Sequence, residues 1–451
     1  MYQIALGDDL RGFLVLDGVL AEPPAFKATP FFNFSPDPII QETIEIQLKG
    51  TSAQIHQFIT RLHQIAQLTL DYQMGSYQSP QYLRFQPTDD PVYFASPLSQ
   101  VYLETNPAGF LHQQTGSKVI ILHYTRPNYF EDTQAIELPL SGRAGADILT
   151  GYPWINHTDS GFFHGSTALI KSTYLTTHSN HLPAPLRVSF ARSTTGAPTF
   201  KDFFFGLYHS FTYASDGHFF YYHNNFLGGT AVADFGAIEG YYKTRSYASN
   251  DWFGLFYFIL PSATLADLQG HSFRYFLHLF APHAYTDLYM KVALESGGVK
   301  LFESAPVHSP PGVGYVILPP IELPPNRLLW EVNPLDLNVF LYTYRESGTS
   351  VTLSYDCVTL FPLAPAASFY GLHNMPVNAV LIDDSSRQRH NMRLNADNYE
   401  TIAHSRVGGP LMVHPGQSSR FFAYVADATD QIPIDFAATL RLFFYPRRQL
   451  L

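Results

Sequence analysis

Histidines are the residues that most suggest a chemical role, because the chain of 451 residues contains 19 of them. His178 and His181 lie three residues apart, but the threonines and proline around them indicate a loop rather than one face of a helix. His218 and His223 flank the aromatic run 219–222 and could share one face of a hairpin. No third histidine or carboxylate stands at a ligand spacing, so we expect loop or half-buried histidines and no metal site.

Carboxylates and nucleophiles give an equally weak signal. Paired aspartates occur at 8–9, 89–90 and 383–384, but neighbouring side chains in a strand point to opposite faces and cannot share acid–base work. The segment 383–386 (DDSS) is typical of a turn after a strand. No nucleophile elbow, phosphate loop or His-Glu-x-x-His motif is present. A Ser/His/Asp triad could still form from residues that are distant in the sequence. The sequence nevertheless predicts no catalytic residue and no cofactor, and we do not expect the protein to be an enzyme.

Composition excludes several classes of protein. The net charge is -10 and the basic residues do not cluster, which argues against nucleic-acid binding. Arg447 and Arg448 are expected to form a solvated end. No apolar run reaches the roughly 18 residues of a membrane-spanning helix, and the first residues do not have the pattern of a signal peptide. Cys357 is the single cysteine, which rules out an internal disulfide and a cysteine-based metal site.

The elements that must position any site begin with one helix. Thr43 to Leu48 alternates like a half-buried strand, and Gly50 separates it from the helix. Thr51 and Gln54 have the spacing of a capping box, and the helix is expected to fray by Leu70. The apolar stripe of this helix consists of Ile55, Phe58, Ile59, Leu62, Ile65 and Ala66. With the strands around it, the helix predicts an N-terminal α+β domain over 1–148.

The rest of the chain is predicted to be strands and turns, so the fold class is mainly β. Residues 149–368 contain many short β-rich segments with no helix between them, which favours an antiparallel β-sandwich or jelly roll. Residues 369–451 are also rich in strands. They form either a unit of their own or a segment that packs back on an earlier domain.

Aromatic residues are the strongest anomaly, at 15% of the chain against only 14% charged residues. Successive aromatics in a strand cannot all face one core, so some must meet a second layer, a ligand or another chain. Three interpretations stay open: a sandwich buried on both faces, a carbohydrate platform and a permanent subunit interface. The low charge favours the interface. The candidate interface or glycan-contact residues are Phe219, Phe220, Tyr221, Tyr222, Tyr241, Tyr242 and Trp252.

Several stretches resemble structural proteins of the tail tip and baseplate of tailed bacteriophages, especially distal tail proteins. They are Thr43 to Leu70 with the following Tyr-Leu-rich strand, and Trp154 to Phe190, where WINHTDSG leads to LPAPLRVSF. Tyr355 to Pro362 (YDCVTLFP) and the Pro-Gly at 415–416 that leads to FFYPRR are similar to pieces of phage-encoded sandwich proteins.

This resemblance implies a virion structural protein, assembled in the host cytoplasm, that forms a symmetric ring through residues 1–148 as its ring-forming assembly domain. The ring is commonly a hexamer of one chain and joins the tail tube to hub and host-recognition proteins. The resemblance implies no catalytic residue, no membrane insertion and no nucleic-acid partner. Two alternatives remain: a β-sandwich module that binds carbohydrate or a receptor, with a host-surface glycan as partner, and a glycan-cleaving β-sandwich enzyme.

Overall fold

The structure is a computed structural model that describes most of the chain. No helix in the described part is both long and apolar enough to cross a membrane. The described residues are 2–17, 25–31, 37–77, 79–87, 93–104, 117–132, 134–138, 140–141, 152–156, 166–171, 181–192, 200–210, 219–234, 237, 240–248, 251–268, 270–323, 336–347, 350–364, 366–370, 375, 378–385, 389–393, 399–402, 405–415, 418–427 and 436–448.

The described elements are two α-helices, one 3₁₀ turn and a long series of strands. The helices are α1 (Ser52–Gln73) and α2 (Ser262–Leu268), and the 3₁₀ turn is His223–Asn225. The strands are β1 (Tyr2–Asp8), β2 (Gly12–Asp17), β3 (Ala25–Phe31), β4 (Ile39–Lys49), β5 (Tyr82–Pro87), β6 (Phe94–Pro97), β7 (Gln100–Glu104), β8 (Ser117–Pro127), β9 (Phe130–Asp132), β10 (Ile136–Glu137), β11 (Leu140–Ser141), β12 (Tyr152–Asn156), β13 (Ser166–Lys171), β14 (His181–Leu182), β15 (Ala184–Arg192), β16 (Phe200–Ser210), β17 (Phe220–Tyr222), β18 (Thr230–Ala233), β19 (Tyr241–Tyr247), β20 (Phe253–Leu260), β21 (Ser272–Ala281), β22 (Leu288–Ser296), β23 (Val299–Glu303), β24 (Val307–Ser309), β25 (Tyr315–Ile317), β26 (Ile321–Glu322), β27 (Leu337–Arg345), β28 (Val351–Pro362), β29 (Ala366–Phe369), β30 (Val380–Asp384), β31 (Arg389–Arg393), β32 (Tyr399–Thr401), β33 (Arg406–Gly408), β34 (Met412–Val413), β35 (Ser418–Asp427), β36 (Phe436–Phe444) and β37 (Arg447–Arg448).

These strands build antiparallel sheets, which confirms the mainly β fold class. Sheet 1 has the order β14-β37-β9-β6-β5-β1-β2, and sheet 2 the order β3-β4-β8-β7. Sheet 3 runs β10-β36-β15-β30-β31-β32, with β12 on β36 and β34 on β15, and sheet 4 runs β11-β13-β35-β16-β29-β33. Sheet 5 runs β18-β19-β28-β21-β25, with β17 on β28 and β26 on β21, and sheet 6 runs β20-β27-β22-β23, with β24 on β22.

The chain divides into two compact units that are both discontinuous in sequence. Unit 1 consists of residues 1–136, 177–184 and 445–451, and unit 2 of residues 137–176 and 185–444. Sheets 1 and 2 with α1 belong to unit 1. Sheets 3 to 6 are built in unit 2.

Helix α1 closes the core of unit 1 with the predicted apolar stripe. Phe58, Leu62 and Ile65 are buried in a cluster with side chains from sheets 1 and 2. The predicted capping box is confirmed: the Gln54 backbone N–H donates to the Thr51 hydroxyl at 3.3 Å, and the Thr51 N–H donates to Gln54 Oε1 at 2.9 Å. The expected end at Leu70 is wrong, because the helix continues to Gln73.

Removal of the cap gives a first testable effect on unit 1. Thr51→Ala should lower the free energy of unfolding by about 1 kcal/mol, because the Gln54 backbone N–H at the helix start loses its acceptor. Urea unfolding measures the change. Thr51→Ser keeps the hydroxyl and is the matched control, so equal losses in the two variants would contradict this role of the cap.

The two arginines near the C-terminus do not form the solvated end that the sequence suggested. Arg447 pairs with Glu131 at 2.6 Å and lies over the ring of Tyr129 at 3.9 Å. Arg448 lies 4.1 Å from the centre of the Phe94 ring. The pair forms β37, which adds a strand between β9 and β14 of sheet 1. Their charges are therefore used inside unit 1.

Unit 2 contains two sandwiches, one inserted into the other along the chain. Sheets 3 and 4 use strands from residues 136–210 and 366–444, whereas sheets 5 and 6 use strands from residues 220–362 only. The C-terminal strands β35 and β36 take central places, β35 between β13 and β16 and β36 between β10 and β15. Residues far apart in the sequence therefore complete the same sheets.

The run of consecutive phenylalanines in β16 is explained by sheets stacked on both of its faces. Phe203 meets Phe190 of sheet 3, with ring centres 5.4 Å apart. Phe204 meets Phe276 of sheet 5 at 5.2 Å. Phe203, Phe204 and Phe205 are all buried. Sheet 5 in turn packs its other face on sheet 6, so unit 2 stacks sheets 3, 4, 5 and 6 in that order.

Candidate functional site

The outer face of sheet 6 carries aromatic side chains that the layers of unit 2 do not bury. Along β27, Leu337, Val339 and Leu341 point into the core while the residues between them are half-buried on the other side. This alternation places Phe340 and Tyr342 on the outer face, beside Tyr257 of the neighbouring strand β20. The strand period of two residues therefore separates an aliphatic inner face from an aromatic outer face.

Three of these rings stack on one another, and we call Tyr257, Phe340 and Tyr342 the aromatic ladder. The ring centres of Tyr257 and Phe340 are 4.7 Å apart at 25°. Those of Phe340 and Tyr342 are 5.9 Å apart at 23°. Each ring is therefore nearly parallel to its neighbour in the ladder.

Trp252, one of the predicted contact residues, lies at the end of the ladder. Its ring is 5.4 Å from that of Tyr344, the next outward residue of β27. The ammonium group of Lys291 lies 4.1 Å from the centre of the Trp252 ring, a cation–π contact. Trp252 is therefore the one predicted contact residue beside the ladder, and the three ladder residues were not among those predicted.

Charged residues along β22 and β23 border the ladder and neutralise one another. Glu303 pairs with Lys291 and, at 2.7 Å, with Lys300. Hydrogen bonds from these two lysines lower the pKa of the Glu303 carboxyl. Burial, and then the negative charge of Glu295, raise the pKa of the Tyr342 hydroxyl, which donates to Glu295 at 3.3 Å. The face thus has an aromatic centre and a charge-balanced border.

Strand β23 extends beyond the sandwich at the edge of sheet 6. All five of its residues are exposed, including Val299 at 61%, Phe302 at 39% and Leu301 at 38%. Its register with β22 is irregular between Leu294 and Glu295. Within the described chain its single strand partner is β22, so the other edge is unpaired. Exposed apolar edge strands pair readily with other chains unless something covers them.

Two of the other predicted contact residues belong to the interior. Phe219 and Tyr221 are buried at 0% and 3% exposure, so the prediction that they meet a glycan or a subunit has to be corrected. Tyr221 stacks on Phe258 at 4.2 Å between sheets 5 and 6. Tyr222 is half-buried against the same core, and the Phe220 side chain lies outside the described residues.

Two predicted tyrosines lie on β19 of sheet 5. Tyr241 is 46% exposed and stacks on His223 with ring centres 5.0 Å apart. Tyr242 stacks on Phe280 at 4.0 Å and is half-buried. Of the predicted residues whose side chains are described, Tyr241 on sheet 5 is exposed, whereas Trp252, just before β20 of sheet 6, is half-buried.

The predicted histidine pairs do not form a ligand set in the described chain. His178 and His218 lie outside the described residues, and so does the side chain of His181. Among the residues that are described, no three His, Cys, Asp or Glu groups come together in a way that could hold a metal ion. Burial, followed by the charge of Lys243, lowers the pKa of His223.

Two Ser–His pairs in the described part of the chain lie within hydrogen-bonding distance, as nucleophilic chemistry would require. His209 Nδ1 lies 2.8 Å from Ser419 Oγ, and His283 Nε2 lies 2.7 Å from Ser309 Oγ. Both serines are buried. The Tyr285 N–H donates to His283 Nδ1 at 3.2 Å, so the proton of the neutral ring is on Nε2 and points at the serine. That imidazole is not oriented to accept the serine proton.

Two of the predicted aspartate pairs serve the fold instead of a reaction. Asp8 is buried and accepts hydrogen bonds from the Tyr77 hydroxyl at 2.7 Å and from Gln81 at 2.6 Å. Asp383 lies within β30, not in a turn, and pairs with Arg406 at 2.9 Å and His390 at 2.6 Å. The strand therefore includes both aspartates, and the predicted turn begins only at Ser385, while residue 386 lies outside the described residues. The pair at 89–90 lies outside the described residues.

Comparisons with known proteins give no family. No protein-family model matches the chain, and no curated protein matches its sequence. A chain from the phage P2 baseplate in its activated conformation with Ca is 9% identical, with 100% of this chain and 99% of that chain aligned and a TM-score of 0.29. A chain from the infectious bursal disease virus VP2 subviral particle is 9% identical over 71% and 82% of the two chains, with a TM-score of 0.16. TM-scores this low do not establish a shared fold, so neither likeness assigns a role.

Proposed function

We propose that this protein is a non-catalytic structural subunit of a tailed-phage virion that assembles with copies of itself through the outer face of sheet 6. The observation that carries the self-assembly is the aromatic ladder, three half-buried rings on the face of sheet 6 that points away from the core of unit 2. Its aromatic centre and charged border match the anatomy of subunit interfaces. The virion role comes from the resemblance to tail-tip proteins, whose first segment here contains the capped helix α1.

The absence of a catalytic role is part of the same proposal. Both Ser–His pairs are placed among buried strand residues, and His283 presents its proton to the serine. The two described aspartate pairs are bound by structural partners. Each candidate group for acid–base or nucleophilic work that the structure describes therefore has a role in holding the fold.

Assembly is tested by light scattering coupled to size exclusion, with negative-stain imaging for rings. Ile259 lies on the outer face of sheet 6 and is 38% exposed. Ile259→Lys should weaken subunit association roughly 30-fold, or about 2 kcal/mol, because a lysine charge would have to be desolvated at the interface.

The matched control is Val407→Lys, which also places a lysine on an exposed β-branched position of unit 2. Val407 is 59% exposed on β33, at the edge of sheet 4. Association should be unchanged in this variant. A wild-type protein that stays monomeric at high concentration, or equal losses in the two variants, would overturn the proposal.

A further inference from the structure

A groove lies between the edge strand β2 and helix α1 in unit 1. It encloses about 560 Å³ and is open to solvent on one side. Leu14 and Phe58 form an apolar floor, and polar groups from α1 form the wall. Arg61 fixes one end by donating to the carbonyl oxygen of Arg11 at 2.9 Å. The lining residues that matter below are Leu14, Phe58, Gln54, Gln57, Arg61 and Gln64.

The geometry of the groove suits the binding of an extended strand. In the described part of the chain β2 pairs with β1 alone, so it offers an unpaired edge next to the helix. An extended segment beside such an edge gains main-chain hydrogen bonds, while side-chain pockets select its residues. The helix wall runs from Gln54 to Gln64, about 15 Å at 1.5 Å per residue. A strand of roughly five residues spans that length.

The same chain carries a strand of that length with no partner on its outer edge. Strand β23 has five residues, all exposed. Lys300 and Glu303 share the outer face of sheet 6, since they oppose Glu295 and Ala293 of β22, whereas Val299 and Phe302 point to the other side. The exposed apolar side chains of Val299 and Phe302 project beyond the core of their own sandwich. They complement the apolar floor that Leu14 and Phe58 form in the groove.

From these observations we propose that β23 of one copy binds in the β2–α1 groove of a second copy. Val299 and Phe302 lie on the apolar floor, and the β23 backbone follows the free edge of β2. Each copy then offers one strand and one groove, so the contact is head-to-tail and repeats from copy to copy. The inference rests on the proposed self-assembly and adds to the outer face of sheet 6 a second contact, made by the opposite side of β23 and the groove of unit 1.

Crosslinking between engineered cysteines tests this contact in the full chain. The one native cysteine, Cys357, is buried, so the background is low. A chain with Gln57→Cys in the groove and Val299→Cys on β23 should form intermolecular disulfides that extend beyond dimers on a denaturing gel. The control chain combines Gln57→Cys with Val407→Cys, whose valine is as exposed as Val299, at 59% against 61%. The yield should differ by about tenfold, because only the first pair is held at high effective concentration.

Light scattering on the same samples separates the possible failures. Oligomers that persist while the two cysteine pairs crosslink equally would overturn this inference and leave the proposed function standing. Monomers at every concentration would overturn both. A second measurement uses the unmodified protein: excess acetyl-VKLFE-amide, the sequence of β23, should shift oligomers toward monomer, and acetyl-DKLFE-amide should not. Equal effects of the two peptides would also count against binding in the groove.

Discussion

Glu42→Gln should lower the free energy of unfolding by about 3–5 kcal/mol, because it leaves the buried charge of Arg126 without its partner. Glu42 and Arg126 lie on the adjacent strands β4 and β8 of sheet 2, with side chains 0% and 4% exposed. The two groups form a bidentate pair, with Arg126 Nε donating to Glu42 Oε2 at 2.6 Å and Nη2 donating to Oε1 at 3.0 Å. The Arg126 guanidinium also lies 4.4 Å from the centre of the Phe130 ring.

The control for this loss is a second glutamate of the same sheet. Glu104 pairs with His123 at 2.9 Å, but its side chain is 60% exposed. Glu104→Gln should therefore cost no more than about 1 kcal/mol. The double variant Glu42→Leu with Arg126→Met should recover most of the stability, since it removes both buried charges together. Urea unfolding measures all three, and equal losses for Glu42→Gln and Glu104→Gln would show that burial does not control this pair.

Acid should destabilise the protein through two buried histidines of unit 2. Burial, followed by the charges of His414 and His271, lowers the pKa of His209 to about 4. Burial, followed by His308, lowers the pKa of His283 to about 4. Both histidines are neutral in the folded protein at pH values where the unfolded chain, with a pKa near 6.5, already binds protons. The stability that these two neutral histidines contribute to the folded protein is complete above pH 6.5. It declines as the pH falls and is lost by about pH 4.

The size of the acid effect follows from the two pKa values. At about 1.4 kcal/mol per pH unit, the fall from 6.5 to about 4 costs up to roughly 3 kcal/mol for each histidine. Urea unfolding at pH 7.5, 5.5 and 4.5 measures it. His283→Gln should flatten the pH dependence, whereas His63→Gln, at an exposed position of α1, should leave it as in the wild type. A wild-type-like pH dependence in His283→Gln would contradict the assignment.

Local sequence patterns determined the elements whose stabilising groups lie close together in the chain. Thr51 and Gln54 are three residues apart, so their spacing alone defined the start of α1. The alternation in β27 likewise separates aliphatic from aromatic residues through its period of two alone. That alternation cannot say which face is covered, because coverage depends on sheet 5, whose strands come from other parts of the chain.

The stacking of the sheets and the burial of individual side chains depend on contacts between residues that are distant in the sequence. Three successive phenylalanines in β16 left a second layer, a ligand and another chain as possible partners, and only the stacking of sheets 3, 4 and 5 showed that the chain itself covers both faces. The local sequence around Arg447 is typical of a solvated end. In the folded protein, however, Arg447 pairs with Glu131, more than three hundred positions earlier in the chain. The sequence by itself determined the strand content, the capped helix and the excess of aromatics, because these follow from periodicity and composition. The tertiary structure alone decided which aromatics face outward and which charges are buried, because both depend on partners that no local pattern specifies.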